Sequence, residues 1–160
     1  AADGTPVPTF PSARHHLQRS NLDTARDSNE RERKSYLRRH WEPLLDLDLV
    51  LHEGAAEVLP GLFVDPTAGH TEGLQVVRAG EGEETVVFPA DVIPLASHVR
   101  IPWTMGYDLC PRTLMDEKRR LLRRAAEGGW AIVLEHDPHR SATRVVERGG
   151  RFEAGDDVVI

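Results

Sequence analysis

The sequence predicts an α+β fold, in which a β-layer of short strands is accompanied by amphipathic helices. Short apolar runs of strand length recur between residues 47 and 89, and turns that contain Gly or Pro separate them. A helical pattern then covers residues 111–127, and a fully apolar run follows it. A length of 160 residues without a long linker predicts a single domain over residues 1–160.

The first 45 residues predict an extended segment, a short strand and then helix. Residues 5–11 contain three prolines and are expected to be extended, and residues 14–18 have the length of a short strand. Residues 28–45 are highly charged, and their apolar side chains recur at near-helical spacing. We therefore expect one or two amphipathic helices there, interrupted at Pro43.

The middle of the chain predicts a meander of strands. Residues 47–51, 58–59 and 62–64 are short apolar runs separated by Gly54 and Pro60-Gly61. Two more strands are predicted at 74–79 and 85–89. The turn-prone residues between them predict an antiparallel hairpin.

The last third of the chain predicts a long helix and a buried strand. Residues 111–127 place their apolar side chains on one stripe, and Gly128-Gly129 is a stop signal. The Arg-rich part of this helix, near residues 118–124, is expected to form a solvated face, with a surface for an anionic partner as the alternative. Residues 130–134 follow as a buried strand, and residues 144–160 predict polar turns and one last strand.

Composition narrows the possible partners. Apolar residues make up 39% of the chain and charged residues 29%, and the net charge is -6. Negative charge argues against nonspecific attachment to nucleic acid or to an anionic membrane, so a small-molecule substrate is expected. Cys110 is the single cysteine, which excludes an intrachain disulfide and a Cys-rich metal cage and favours a cytoplasmic location.

Three polar clusters stand where strand-like runs end, and they predict a metal site. The clusters are Gly69-His70-Thr71, Ala90-Asp91 and Glu135-His136-Asp137-Pro138. Imidazole nitrogen and carboxylate oxygen are the ligands that zinc prefers. In an antiparallel hairpin the start of one strand and the end of the next lie at the same edge, so His70 and Asp91 are expected to meet. Taken alone, the two imidazoles and the carboxylate also fit a facial triad for mononuclear iron.

Motifs spread over residues 10–152 add a resemblance to this picture. Gly-His-Thr-x-Gly, Phe-x-x-Asp and His-Asp-Pro follow one another in this order, and Ile101-Pro102-Trp103 and Met105-Gly106-Tyr107-Asp108 lie between the last two. In these segments the chain resembles the carboxyl-terminal half of metallo-β-lactamase-fold hydrolases, particularly the lactonase-like and organophosphate-hydrolase-like branch. The resemblance implies a metallo-β-lactamase-like αββα sandwich that lacks its amino-terminal portion, so that one β-layer with its helices dominates.

The resemblance also implies roles for individual residues. His70 would ligate one metal ion, Asp91 would bridge two, and His136 would ligate the second, with zinc the usual metal at both sites. Asp91 and Tyr107 would be the catalytic residues, with Tyr107 reaching the substrate. Thr71 and Asp137 would orient the ligands. The implied activity is hydrolysis of a lactone, an ester or a related small molecule.

Several positions depart from the family pattern. The family's His-x-His-x-Asp-His motif is expected upstream of these residues, so we expect a fragment whose own activity is impaired. His15-His16 cannot replace that motif, because adjacent residues on a strand point to opposite faces. Leu74 stands where many relatives have a second histidine, and Ala90 replaces a glycine. The alternative is a degenerate, noncatalytic domain used for binding or assembly.

A sandwich without one of its layers exposes apolar surface on the other layer. Contiguous exposed apolar patches on monomers rarely exceed several hundred Å². We therefore expect a homodimer, or a partner chain that covers the exposed sheet face.

Overall fold

A computed structural model describes residues 7–159, and the chain divides into two compact units. One unit extends to Gly54 and the other begins at Ala55. The single domain over residues 1–160, and the homodimer or partner chain expected to cover the sheet face, stay predictions. None of the helices in residues 7–159 has the length and apolar character needed to cross a bilayer.

The first unit contains two strands and two short helices. In chain order they are β1 (His15–Gln18), α1 (Arg19–Arg26), α2 (Arg38–Trp41) with a 3-10 helix directly after it (Glu42–Asp46), and β2 (Leu49–His52). The strand β2 pairs in parallel with β1, and His15 lies opposite Leu49. The prediction that residues 47–51 belong to the meander is therefore wrong.

The predicted helix over residues 28–45 is also wrong for most of its length. The side-chain oxygen of Asn29 accepts hydrogen bonds from the backbone N–H groups of Arg31 and Glu32 at 2.8 and 3.2 Å. Such local bonds compete with helical ones, and turns replace the helix there. The helix α1 was missed because only Leu22 and Ala25 are buried among its eight residues, which leaves a weak apolar stripe.

The second unit is built on a seven-stranded sheet whose strands follow their order in the chain. The strands are β3 (Ala56–Leu59), β4 (Leu62–Thr67), β5 (Leu74–Ala79), β6 (Val86–Phe88), β7 (Ala131–Val133), β8 (Ala142–Arg148) and β9 (Arg151–Asp157). All neighbours are antiparallel except β6 and β7, which α3 (Pro111–Gly128) connects in parallel. The predicted hairpin of β5 and β6 is confirmed. The single last strand is corrected to two, β8 and β9, which turn at Gly149-Gly150.

The core of this unit lies between α3 and one face of the sheet. Proline starts α3, and Gly129 ends it in the left-handed conformation, with φ +65°. Leu114, Leu122 and Ala125 of α3 belong to the same buried cluster as Val87 and Ile132 of the sheet. The α+β class, with one dominant β-layer, is confirmed.

Lys118 corrects the expectation that the whole 118–124 face of α3 is solvated. Its side chain is fully buried, and its ammonium group donates hydrogen bonds to the carbonyls of Arg100, Ile101 and Trp103. These three bonds anchor the segment between β6 and α3 to the helix. Burial lowers the pKa of Lys118 to about 8.

Candidate metal centre

Sheet topology brings the three predicted ligands to one edge. His70 lies between β4 and β5, Asp91 follows β6, and His136 follows β7. Because β5 is antiparallel to β6 and β6 is parallel to β7, the start of β5 and the ends of β6 and β7 meet at the same edge. The structure thus brings together side chains that are up to 66 positions apart in the sequence.

Gly69 lets the segment before His70 lie directly on α3. A Cβ atom at residue 69 would be 2.4 Å from the backbone nitrogen and Cα of Leu114, so no other residue fits without displacing the helix. The carboxylate of Glu117 accepts hydrogen bonds from the N–H groups of Ala68 at 2.8 Å and Gly69 at 3.1 Å. Burial raises the pKa of Glu117, and these two bonds oppose that effect. His70 is therefore held by a rigid backbone.

Ala90 places Asp91 by an unusual backbone conformation. Its φ is +47°, and it is the one residue other than glycine with positive φ among residues 7–159. The left-handed region is costly for a residue with a Cβ atom. This conformation gives a physical reason for the glycine expected at this position, and alanine adopts it here.

The carboxylate of Asp91 lies between the two imidazoles. Its Oδ2 is 3.4 Å from Nε2 of His70, and its Oδ1 is 3.3 Å from Nε2 of His136. Each imidazole therefore faces its own carboxylate oxygen. Two ligands bound at about 2.0–2.1 Å to one tetrahedral zinc ion lie about 3.3–3.4 Å apart. The donor spacing fits one zinc ion on each side of Asp91.

Asp108 orients His70. Its carboxylate is fully buried and accepts a hydrogen bond from Nδ1 of His70 at 2.8 Å. Its other oxygen accepts the backbone N–H of Met105. A proton on Nδ1 leaves the lone pair of Nε2 free on the side of Asp91, which is the tautomer that a metal ligand requires.

Glu135 adds a carboxylate to the other end of the site. Donor atoms of Asp91, Glu135 and His136 all lie within 4.8 Å of one another, a spacing compatible with one cation. Partial burial and the charge of Asp91 raise the pKa of Glu135. The His136 side chain is 59% exposed and that of His70 is 15% exposed, so the two ends of the site differ in access to solvent.

Tyr107 lies at the rim of the site. Its ring meets that of His70 edge to face, with centroids 5.8 Å apart, and the residue is 53% exposed. Partial burial, followed by the charges of Asp91 and Asp108, raises the pKa of Tyr107. The phenol is therefore protonated at neutral pH and can donate a hydrogen bond to a ligand.

Asp137 supports the loop after β7. Its carboxylate accepts hydrogen bonds from the N–H groups of Ala96, His139 and Arg140, and the bond from Ala96 contributes most to lowering its pKa. Asp137 thus fixes the backbone beside His136. The orienting role expected of Thr71 stays a prediction.

Sequence reasoning missed three groups that shape the site: Asp108, Glu117 and Glu135. Asp108 belongs to the Met-Gly-Tyr-Asp segment, and Glu135 directly precedes His136. Both residues could therefore have been proposed as site residues from the motifs that contain them. Glu117 lies 48 positions from Gly69 in a charged helix. No local pattern links the two.

Comparison with protein-family models and with curated proteins gives no match to this chain. Solved structures do match. A probable metal-dependent hydrolase from Staphylococcus aureus superposes with a TM-score of 0.78 at 20% identity, over 94% of this chain and 55% of the hydrolase. The hydrolase AbOPH of the beta-lactamase superfamily gives 0.76 at 18% identity, over 94% and 57% of the two chains.

A third match is AidC, a dizinc quorum-quenching lactonase whose structure contains the product N-hexanoyl-L-homoserine. It superposes with a TM-score of 0.72 at 18% identity, over 96% of this chain and 58% of AidC. The chain thus spans between 55% and 58% of the length of these three structures. The resemblance noted in the sequence is confirmed at the level of the fold: this chain has part of a metallo-β-lactamase-like fold.

Proposed function

We propose that this chain contributes to a metal-dependent hydrolase of the metallo-β-lactamase type, acting on a lactone, an ester or a related small molecule. The observation that carries the proposal is the position of Asp91, whose two oxygens lie 3.4 and 3.3 Å from Nε2 of His70 and His136. A carboxylate placed between two imidazoles matches a bridging ligand between two cations.

Each of the clustered residues would have its own role in such a site. His70 and His136 would each ligate one metal ion through Nε2, and Asp91 would bridge the two ions. Asp108 keeps His70 in the ligating tautomer, since it accepts the Nδ1 proton at 2.8 Å. Glu135 offers one more oxygen donor on the His136 side.

Zinc, when bound, polarises a carbonyl or phosphoryl oxygen and lowers the pKa of a bound water to about 7. Tyr107 would act on the substrate rather than on the metal. Its protonated phenol at the exposed rim can donate a hydrogen bond to a substrate oxygen and so orient the bond that is cleaved.

On the His70 side, His70 and Asp91 would supply two ligands, fewer than the three protein ligands that a catalytic zinc ion commonly has. We propose that donors outside this cluster complete the site. The full hydrolytic activity then belongs to the completed site, while weaker metal binding belongs to the cluster described here.

Metal analysis of the purified chain tests this function. About two zinc equivalents after zinc exposure, reduced in His136→Ala and unchanged in His139→Ala, would support it. His139 is the matched control, since it is an exposed histidine three positions along the same loop. Absence of any bound metal would favour the degenerate, noncatalytic alternative. One iron equivalent would favour the facial triad instead. Hydrolysis of a series of lactones and esters is then compared between the wild-type chain, His136→Ala and His139→Ala.

A further inference from the structure

A cavity opens between α3, residues 100–103 and the β8–β9 hairpin. Its volume is about 570 Å³, which lies within the range of small-molecule sites, about 300–1,000 Å³. None of its lining residues belongs to the candidate metal centre. The cavity therefore needs an explanation of its own.

The lining of the cavity is strongly cationic. Four arginines face it, and they come from three different parts of the second unit: Arg100, Arg119, Arg123 and Arg151. Two glutamates are also present, which leaves a net charge of +2. The whole chain has a net charge of -6, so positive charge is concentrated here against the overall balance.

Three of these four arginines form no ion pair with a carboxylate of the described chain. Arg119 forms an ion pair with Asp116 at 2.6 Å. Within residues 7–159, no carboxylate forms an ion pair with Arg100, Arg123 or Arg151. Arg119 and Arg123 are also four positions apart on α3, a spacing at which like charges repel. A bound anion would offset that repulsion.

One wall of the cavity is aromatic, and its backbone is anchored to α3. Trp103 is 48% exposed, and the guanidinium carbon of Arg100 lies 5.1 Å from the centre of its ring. The buried ammonium group of Lys118 holds the carbonyls of both residues, at 2.6 Å for Trp103 and 2.8 Å for Arg100. An exposed indole on this anchored backbone offers a planar surface on which a ligand ring can stack.

We propose that this cavity binds a small organic phosphate with a planar ring, of the nucleoside monophosphate class. Guanidinium groups match phosphate oxygens with two parallel hydrogen bonds. A phosphate monoester carries a charge of about -1.5 to -2 at pH 7, close to the opposite of the lining charge, whereas a single carboxylate would neutralise only half of it. Trp103 and Arg100 would hold the ring, while Arg123 and Arg151 would hold the phosphate.

Calorimetric titration with adenosine monophosphate, inorganic phosphate and adenosine tests the proposal. A chelator is included, so that phosphate cannot bind through a metal ion. Adenosine monophosphate is expected to bind at least about tenfold more tightly than inorganic phosphate or adenosine alone. Arg123→Ala is expected to weaken binding by about tenfold or more, since it removes a charge-assisted contact. Arg112→Ala is the matched control, because Arg112 is an exposed arginine of α3 outside the cavity.

Three results would overturn the proposal. The first is absence of binding up to about 5 mM adenosine monophosphate. The second is equal affinity for inorganic phosphate, which would remove any role for the aromatic wall. The third is equal weakening by Arg112→Ala and Arg123→Ala, which would indicate nonspecific attraction to a basic helix. Far-ultraviolet circular dichroism confirms that the variants keep their fold.

Discussion

Replacing Asp108 with asparagine changes one oxygen to an NH₂ group with little change in shape. The carboxylate accepts two hydrogen bonds, one from Nδ1 of His70 and one from the backbone N–H of Met105. An amide has one acceptor and one donor end, so it cannot serve both partners. If the NH₂ group faces His70, the ring proton moves to Nε2 and the lone pair needed for a metal ion is lost. If it faces Met105, two donors oppose each other.

The expected cost follows from these two contacts. Loss of an orienting carboxylate behind a histidine ligand commonly weakens metal binding about 10- to 100-fold, which is about 1.4–2.7 kcal/mol. The metal-free protein is expected to lose about 1.5–3 kcal/mol of unfolding free energy, since a buried hydrogen bond to a charged group is replaced by an unsatisfied one.

Zinc titration against a competing chelator measures the affinity, and urea unfolding of the metal-free protein measures the stability. Asp156→Asn provides the control, since Asp156 has an exposed side chain on β9, and its replacement is expected to change stability by less than about 0.5 kcal/mol. Wild-type zinc affinity in a folded Asp108→Asn variant would refute the role given to Asp108.

Three further predictions concern the backbone and the pH dependence of stability. Ala90→Gly removes a Cβ atom from a left-handed residue and is expected to change the unfolding free energy by less than about 1 kcal/mol. The control Ala125→Gly in α3 is expected to cost more than that. An equal loss at both positions in urea unfolding would contradict backbone strain at Ala90. Gly69→Ala places a Cβ atom 2.4 Å from the α3 backbone and is expected to cost more than about 2 kcal/mol; near-wild-type thermal stability would show that the close approach is wrong. Lys118 has a pKa of about 8 in the folded protein and about 10.4 in the unfolded chain, so between these two pH values the unfolded state binds more protons. Lys118 therefore makes the unfolding free energy rise with pH, by up to about 1 kcal/mol per pH unit. Lys118→Met should remove that rise and Lys34→Met, at an exposed lysine, should keep it; identical pH profiles of the two variants would disprove the burial of a shifted amine.

Local patterns in the sequence predicted the parts of the fold that local physics determines. The long helix was predicted because its apolar stripe, its first proline and its final glycines agree with one another. The β5–β6 hairpin was predicted from two apolar runs and a turn. From that hairpin the meeting of His70 and Asp91 followed, and the two side chains lie 3.4 Å apart. Residue type, order along the chain and strand polarity were sufficient for this part of the site.

Pairings between distant segments were not predictable in the same way. The run at residues 47–51 has the composition of a meander strand, and its choice of β1 as a parallel partner depends on contacts 34 positions away. The same holds for Asp108, whose carboxylate lies 38 positions from its histidine partner, and for Lys118, whose charge predicts exposure. In each case the partner lies outside any local sequence window, so residue type alone gave the wrong prediction or none.

The central claim is that His70, Asp91 and His136 bind metal together. Nitrogen-15 spectra of histidine side chains, recorded while zinc is added, test it directly, because ring nitrogen shifts distinguish protonated, free and metal-bound nitrogens. The claim predicts that the Nε2 signals of His70 and His136 shift on zinc addition, while Nδ1 of His70 stays protonated. It also predicts that the two Nε2 shifts vanish in Asp91→Ala. Zinc-dependent shifts confined to the chain's other histidines, or no shifts at all, would contradict it.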